Sequence, residues 1–229
     1  MAAWKENKQF YFSVEGETEW WYLEWLKEKI NSEAQTKVSF VCSRKTPEKM
    51  MKSLRSLDFT KIKIAHIFDY ESQEEAHTKN FEKILAQMRI AEREKGITYH
   101  LGYSNFAFEL WIILHKIDFY KTLNNRNAYL KPINENYGEK FAGLSEYKEE
   151  SNFKRILKKL TLDNVRDAIK RSEYIKQTNI RNGYVRHNCK EVTCKEGKCR
   201  ANKCYFKENP SLSIGKIIKE IFEDCGLIR

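Results

Sequence analysis

The order of the predicted elements places this chain in the α/β class. Apolar, aromatic-rich stretches of strand length alternate with stretches that carry apolar residues at helical spacing. Because such alternation produces parallel pairing through helical crossovers, we expect a mostly parallel sheet covered by helices. The predicted strands cover residues 9–14, 37–42, 61–70 and 97–103.

Each predicted strand is followed by a helical pattern. The first helix, over residues 18–31, places Leu23, Leu26 and Ile30 on one face. The second begins with Thr-Pro, a capping residue followed by a first-turn proline. The second, third and fourth predicted helices cover residues 46–57, 73–94 and 106–116.

The pattern changes after residue 116, which we take as a domain boundary. Residues 1–116 form the predicted α/β domain, and residues 117–229 form a mostly helical, basic extension packed on it. The Asn-rich stretch 124–136 is typical of a loop. Further helices are expected over 151–160, over 163–178 and around Ile214, Ile217, Ile218 and Ile221.

The hydropathy of the sequence argues against a membrane-spanning protein. No apolar run approaches the roughly 20 residues that a membrane span needs, and the N-terminus lacks a signal-peptide pattern. We therefore expect a cytoplasmic protein that has no membrane partner.

The net charge of +10 comes from one segment. Residues 151–208 carry 16 Lys and Arg against 6 Asp and Glu, while the other residues hold 26 of each sign. This separation suits binding of nucleic acid, although a solvated, Lys-rich helical surface would give the same count. The residues expected to contact nucleic acid are Lys158, Lys159, Arg166, Lys170, Arg186, Lys190, Lys195, Lys198, Arg200 and Lys203.

Carboxylates follow two of the predicted strands. Glu15 follows the first, while Asp69 and Glu71 end the third and point to the same side if the chain there is extended. If these strands are neighbours, the three carboxylates meet in the crevice at the carboxyl edge of the sheet, where Mg²⁺ would relieve their repulsion. The alternative is that acidic residues after strands simply stabilise the start of the next helix.

A cysteine-rich segment, residues 187–204, poses a separate question. Cys189, Cys194, Cys199 and Cys204 recur every five residues, with His187 as a substitute ligand for one of them. Four clustered thiols in a cytosolic chain suggest structural Zn²⁺, but five-residue steps differ from the usual two-residue gaps. Unligated, oxidation-sensitive thiols are the alternative interpretation.

Several motifs resemble a known family. "VEGETE" and "FDYE", each after an apolar strand, resemble the TOPRIM domain of topoisomerases, primases and OLD-type nucleases. Together with "SNFAFELWIILH" and "ENPSLSIGKIIKEI", they resemble the RloB family, which is TOPRIM-like and associated with prokaryotic phage defence. The resemblance runs from about residue 9 to 222. It departs from the family pattern at Phe106, where a proline is usual.

The resemblance implies roles for particular residues. Glu15 would be a metal ligand or general base, Asp69 a metal ligand, and Glu71 a second acidic ligand where aspartate is usual. Glu109 would support the site or form a salt bridge, and Glu17 is a further supporting candidate.

The implied function is metal-dependent cleavage of RNA, such as tRNA, or of DNA in antiviral defence. It would use Mg²⁺ or Mn²⁺ and work with a separate ATPase partner. The alternative is a non-catalytic nucleic-acid-binding or sensor subunit that keeps the TOPRIM shape.

Overall fold

The computed structural model describes residues 7–33, 36–53, 62–183 and 208–228. These residues form one five-stranded sheet in the order β2–β1–β3–β4–β5. The first four strands are parallel and the short fifth strand is antiparallel to β4. The strands are β1 (Asn7–Val14), β2 (Lys37–Ser43), β3 (Lys63–Asp69), β4 (Thr98–Asn105) and β5 (Ser211–Leu212).

Helices connect the parallel strands and make up most of the second half of the described chain. The first four are α1 (Glu17–Glu33), α2 (Pro47–Ser53), α3 (Glu75–Lys95) and α4 (Glu109–Leu114). A 3-10 helix (Arg126–Tyr129) precedes α5 (Leu130–Tyr137), α6 (Leu144–Tyr147), α7 (Glu150–Leu157), α8 (Leu162–Arg181) and α9 (Ile214–Asp224). The predicted α/β class, with a mostly parallel sheet and C-terminal helices, is confirmed.

The main core joins residues from both sides of position 116. One cluster of buried side chains runs from Phe12 in β1 through Trp111 in α4 to Phe222 in α9. All six residues of α4 are buried, so this short helix lies at the centre of the cluster. Burial on this scale is the main source of stability for such a packed arrangement.

The prediction of a loop over residues 124–136 is wrong. This stretch forms the 3-10 helix and most of α5. Asn125 caps the first turn, because its Oδ1 accepts a hydrogen bond from the Ala128 amide at 3.2 Å. Tyr129, Ile133 and Tyr137, spaced four residues apart, are all buried, and this apolar face outweighs the low helix propensity of the asparagines.

One helix is shorter than the sequence predicts, and one strand was not predicted. The apolar helix predicted over 106–116 is restricted to Glu109–Leu114. The C-terminal strand β5 was not predicted, because two residues are too short to show an alternating pattern. Strand β5 is held to β4 by Ser213, whose Oγ donates to Leu101 O at 2.6 Å and accepts from Tyr103 N at 3.0 Å.

One buried serine–histidine pair stabilises the sheet rather than forming a site. Ser13 Oγ lies 2.7 Å from His66 Nδ1, and both residues are almost inaccessible to solvent. Burial lowers the pKa of His66 to about 4, so its imidazole is neutral at pH 7.

Within the ranges described above, no helix is both long enough and apolar enough to cross a membrane.

Candidate functional site

The carboxyl edge of the two central strands carries the predicted acidic residues. Strands β1 and β3 are parallel neighbours, with Val14 opposite Ile67. Glu15 therefore leaves β1 next to the point where Asp69 ends β3. The neighbouring strands that the sequence argument required are present, and this edge is where α/β sheets form their sites.

The backbone turns sharply directly after β3. The amides of Tyr70 and Glu71 donate to Ser104 O and Phe106 O at 2.9 and 2.8 Å. Glu71 adopts the left-handed conformation with φ of 65°, which is uncommon for a residue with a side chain. The extended geometry that we assumed for Asp69 and Glu71 is therefore wrong, because the strand ends at Asp69.

Arg126 brings these two carboxylates together. Its Nη1 donates to Glu71 Oε1 at 3.1 Å, and its Nη2 lies 3.7 Å from Asp69 Oδ2. His77 contributes a second contact, with Nε2 3.1 Å from Glu71 Oε2. Arg126 was not predicted as a site residue, because its Asn-rich surroundings are typical of a loop. The Asn125 cap was the available signal that an ordered turn begins there.

A second group of charges lies deeper, behind Asp69. Glu19 of α1 and Glu109 of α4 are 4% and 1% exposed, which is rare for carboxylates. Lys148 Nζ lies 3.0 Å from Glu109 Oε1, so the salt bridge considered for Glu109 is present. Sequence analysis did not select Glu19, since an acidic residue in a first helical turn is explained by the helix dipole.

Electrostatics link the two groups through Asp69. Desolvation raises the pKa of Asp69 well above its ordinary value, and repulsion from Glu19 and Glu109 raises it further. Lys148 and Arg126 act in the opposite direction. Asp69 is therefore the carboxylate that interacts both with Arg126, at the edge of the site, and with Lys148, deeper in the protein.

The pKa values of two neighbouring carboxyls rise for related reasons. Glu15 is exposed along part of its side chain, yet partial desolvation of its carboxyl raises the pKa, and repulsion from Glu71 adds to the effect. Desolvation also raises the pKa of Glu19, although Thr18 Oγ1 donates to its Oε2 at 3.0 Å. We call Glu15, Glu19, Asp69, Glu71 and Glu109 the acidic cluster.

Gly16 is required by the packing of this cluster. A Cβ atom at position 16 would lie 2.3 Å from Glu19 Oε2, well inside any normal contact. The glycine of the "VEGETE" motif therefore allows the backbone to approach the Glu19 carboxylate.

The residues present suit a divalent cation in chemistry but not in their present spacing. Carboxylate oxygens are the hard ligands that Mg²⁺ prefers, and neither Glu109 oxygen accepts a well-oriented hydrogen bond from the described residues. Within the same residues, no three His, Cys, Asp or Glu side chains converge closely enough to hold a metal ion. The guanidinium of Arg126 lies between Asp69 and Glu71 instead. The metal assignment of Glu15, Asp69 and Glu71 stays a prediction.

Other predicted residues lie elsewhere. Glu17 is exposed and accepts a hydrogen bond from Arg44 Nη1 at 2.6 Å. Lys159 pairs with Glu139 at 2.6 Å, and Arg166 Nε donates to Leu227 O at 3.1 Å, so both hold internal contacts.

Lys158 and Lys170 are exposed, and their contact with nucleic acid stays a prediction. The remaining predicted residues fall in 184–207, outside the described chain, so the zinc and loop predictions stay untested. They are Arg186, His187, Cys189, Lys190, Cys194, Lys195, Lys198, Cys199, Arg200, Lys203 and Cys204.

Fold and site together define an α/β protein with a partly buried acidic cluster at the carboxyl edge of a parallel sheet. The family model described as RloB-like protein matches residues 10–221, which is nearly the whole chain. The chain therefore belongs to the RloB-like protein family, as its motifs predicted. A comparison with curated proteins and one with solved structures give no match.

Proposed function

We propose that this protein is a TOPRIM-like, divalent-cation-dependent nuclease that cleaves RNA or DNA in antiviral defence. The observation that carries the proposal is the acidic cluster at the carboxyl ends of β1 and β3. Burying the carboxylates of Glu19 and Glu109 beside Asp69 costs stability, and such costs are concentrated at functional sites. Perturbed carboxyls gathered at such an edge are a common feature of catalytic sites.

Asp69, Glu15 and Glu71 would hold the cation, with substrate oxygens and waters completing its shell. When bound, Mg²⁺ or Mn²⁺ would activate water and neutralise charge on the phosphate. Glu19 and Glu109 keep the negative potential at Asp69 high. Lys148 compensates part of that potential, which lowers the cost of folding these carboxylates together.

Arg126 would change partner when substrate arrives. Its side chain is 34% exposed and already lies at the edge of the cluster. A guanidinium binds phosphate through paired hydrogen bonds as readily as it binds carboxylate. Arg126 would therefore release Asp69 and Glu71 for the cation and hold the substrate phosphate instead.

The biological setting comes from the family resemblance alone. Membership of the RloB-like family supports a role in defence and a separate ATPase partner as proposals. The basic surplus in residues 151–208 supports nucleic acid as the substrate.

The proposal is tested with purified protein on plasmid, single-stranded DNA and total tRNA. Each substrate is incubated with Mg²⁺, with Mn²⁺ or with EDTA, and products are separated on denaturing gels. We expect cleavage of at least one substrate with metal and none in EDTA. Binding without cleavage under every condition would favour the non-catalytic sensor subunit.

A further inference from the structure

Two exposed tyrosines that are not part of the acidic cluster contact each other on the protein surface. Tyr120 and Tyr174 are 41% and 50% exposed. Their ring centroids lie 4.6 Å apart at an interplanar angle of 44°. An isolated exposed aromatic residue needs no explanation, but two in contact leave a substantial ring surface open to water.

Positive charge lies beside this pair. The Arg181 guanidinium lies 5.7 Å from the centroid of the Tyr174 ring, and its Nη2 donates to Thr178. Lys170, one turn before Tyr174 on α8, is 78% exposed and lies 3.9 Å from Asp167, and Lys121, which follows Tyr120 in the chain, is also exposed. The nearby Asp118 carboxylate is compensated by Arg171 at 2.7 Å. The ligand that matches this surface is aromatic and anionic.

The tyrosine pair is connected to the acidic cluster by an ordered segment. Tyr120 lies six residues before Arg126, which contacts Asp69 and Glu71. Two hydrogen bonds to Asn209 fix the segment between them: Thr122 Oγ1 donates to Asn209 O at 2.8 Å, and Asn209 Nδ2 donates to Leu123 O at 2.7 Å. The tyrosines therefore sit on a fixed part of the surface, so little ordering is needed on binding.

We propose that Tyr120, Tyr174 and Arg181 form a stacking platform for an unpaired base of the nucleic acid. Aromatic rings beside cations bind single strands because every base offers a π-face and every nucleotide a phosphate. A base paired within a duplex has no free face to offer. This inference rests on the proposed function for its ligand class, and it adds that the protein prefers unpaired nucleotides.

The test measures binding without cleavage. Fluorescence anisotropy in EDTA compares labelled single strands of about 15 nucleotides, both RNA and DNA, with hairpin-closed duplexes of each. The variants Tyr174→Leu and Tyr120→Leu keep apolar surface but remove the ring, while Tyr174→Phe keeps the ring. Ile90→Ala, at an exposed position of α3, is the matched control.

We expect each leucine variant to weaken single-strand binding by about tenfold, with duplex binding unchanged. The phenylalanine variant and the control should stay within about twofold of wild type. The salt dependence should keep its slope, because a tyrosine releases no counterions. Wild-type affinity in both leucine variants, or equal losses on single strands and duplexes, would overturn the platform.

The same assay separates this inference from the proposed function. If the leucine variants lose single-strand affinity in EDTA but the wild-type protein cleaves nothing with Mg²⁺, the platform is supported and the nuclease proposal is contradicted. If the protein cleaves with Mg²⁺ but the leucine variants bind single strands with wild-type affinity, the nuclease proposal is supported and the platform is contradicted.

Discussion

Lys148 Nζ lies 3.0 Å from Glu109 Oε1, joining the residue after α6 to the first residue of α4. Glu109 is 1% exposed, whereas the Lys148 side chain keeps 34% of its surface in water. The lysine therefore reaches in from the surface to compensate a carboxylate that is also repelled by neighbouring acids. Its removal would leave like charges buried together, which is far costlier than breaking a surface ion pair.

We predict that Lys148→Met lowers the free energy of unfolding by about 3 kcal/mol, because a buried carboxylate loses its cation. Urea denaturation followed by circular dichroism measures the change. Lys79→Met, which breaks an exposed pair with Glu75, is the control and should cost less than about 0.5 kcal/mol. A cost for Lys148→Met no larger than for the control would show that Glu109 does not need its partner.

A second prediction concerns the close approach at Gly16. Gly16→Ala places a methyl group on the Glu19 carboxylate, which must shift. Because the displaced atoms end a flexible side chain, we expect only about 1 kcal/mol of lost stability. Cleavage should fall about a hundredfold, since the displaced Glu19 carboxylate changes the electrostatic potential at Asp69.

The double variant Gly16→Ala with Glu19→Ala supplies the control. If the clash is the cause, Gly16→Ala costs little stability once Glu19 is already alanine. Equal stability costs in both backgrounds would mean that the glycine acts through its backbone freedom instead.

The third prediction isolates backbone strain at Glu71. Glu71→Gly and Glu71→Ala both remove the carboxylate, and they differ only in the residue placed at φ of 65°. We expect the glycine variant to be more stable than the alanine variant by about 1 kcal/mol, because only alanine has a Cβ that disfavours this conformation. Thermal and urea unfolding measure both variants. An alanine variant that equals or exceeds the glycine variant would argue against a left-handed Glu71.

The fourth prediction is a pH dependence away from the site. Hydrogen bonds from Arg155, with further support from Lys159, lower the pKa of Glu139 from 4.5 to about 2. A depressed carboxyl pKa stabilises the folded state above the ordinary pKa, and this contribution is lost as pH falls through the folded value. Glu139→Gln should therefore be less stable than wild type at pH 7, and the difference should shrink between pH 4.5 and about 2. A difference that is constant across this range would contradict the assignment.

The alternation of strands and helices predicted the α/β class and the carboxylates at the strand ends, because these features depend on local sequence. Arg126 and Lys148 could not be predicted in this way. Each is far along the chain from Asp69 and is brought to the acidic cluster by helices that pack on other helices. Their sequence surroundings carry no sign of a buried acidic partner.

The burial of Glu19 and the conformation of Glu71 could not be predicted for a different reason. An acidic residue at the start of α1 has an adequate explanation in the helix dipole, so nothing in the sequence marks Glu19 as buried. The position of Glu71 depends on the hydrogen bonds of its turn to Ser104 and Phe106, which are long-range contacts. Without those contacts, the sequence alone favours an extended chain through Glu71.

The most direct test of the central claim is the Mg²⁺-dependent cleavage rate of Asp69→Asn. This change keeps the shape of the side chain and removes the shared charge. We expect cleavage to fall more than about a hundredfold, while binding of nucleic acid in EDTA and the stability of the fold are retained. Glu15→Gln should behave in the same way, and Glu75→Gln, exposed on α3, should cleave like wild type. Asp69→Asn protein that cleaves at the wild-type rate would contradict the assignment of a catalytic acidic cluster.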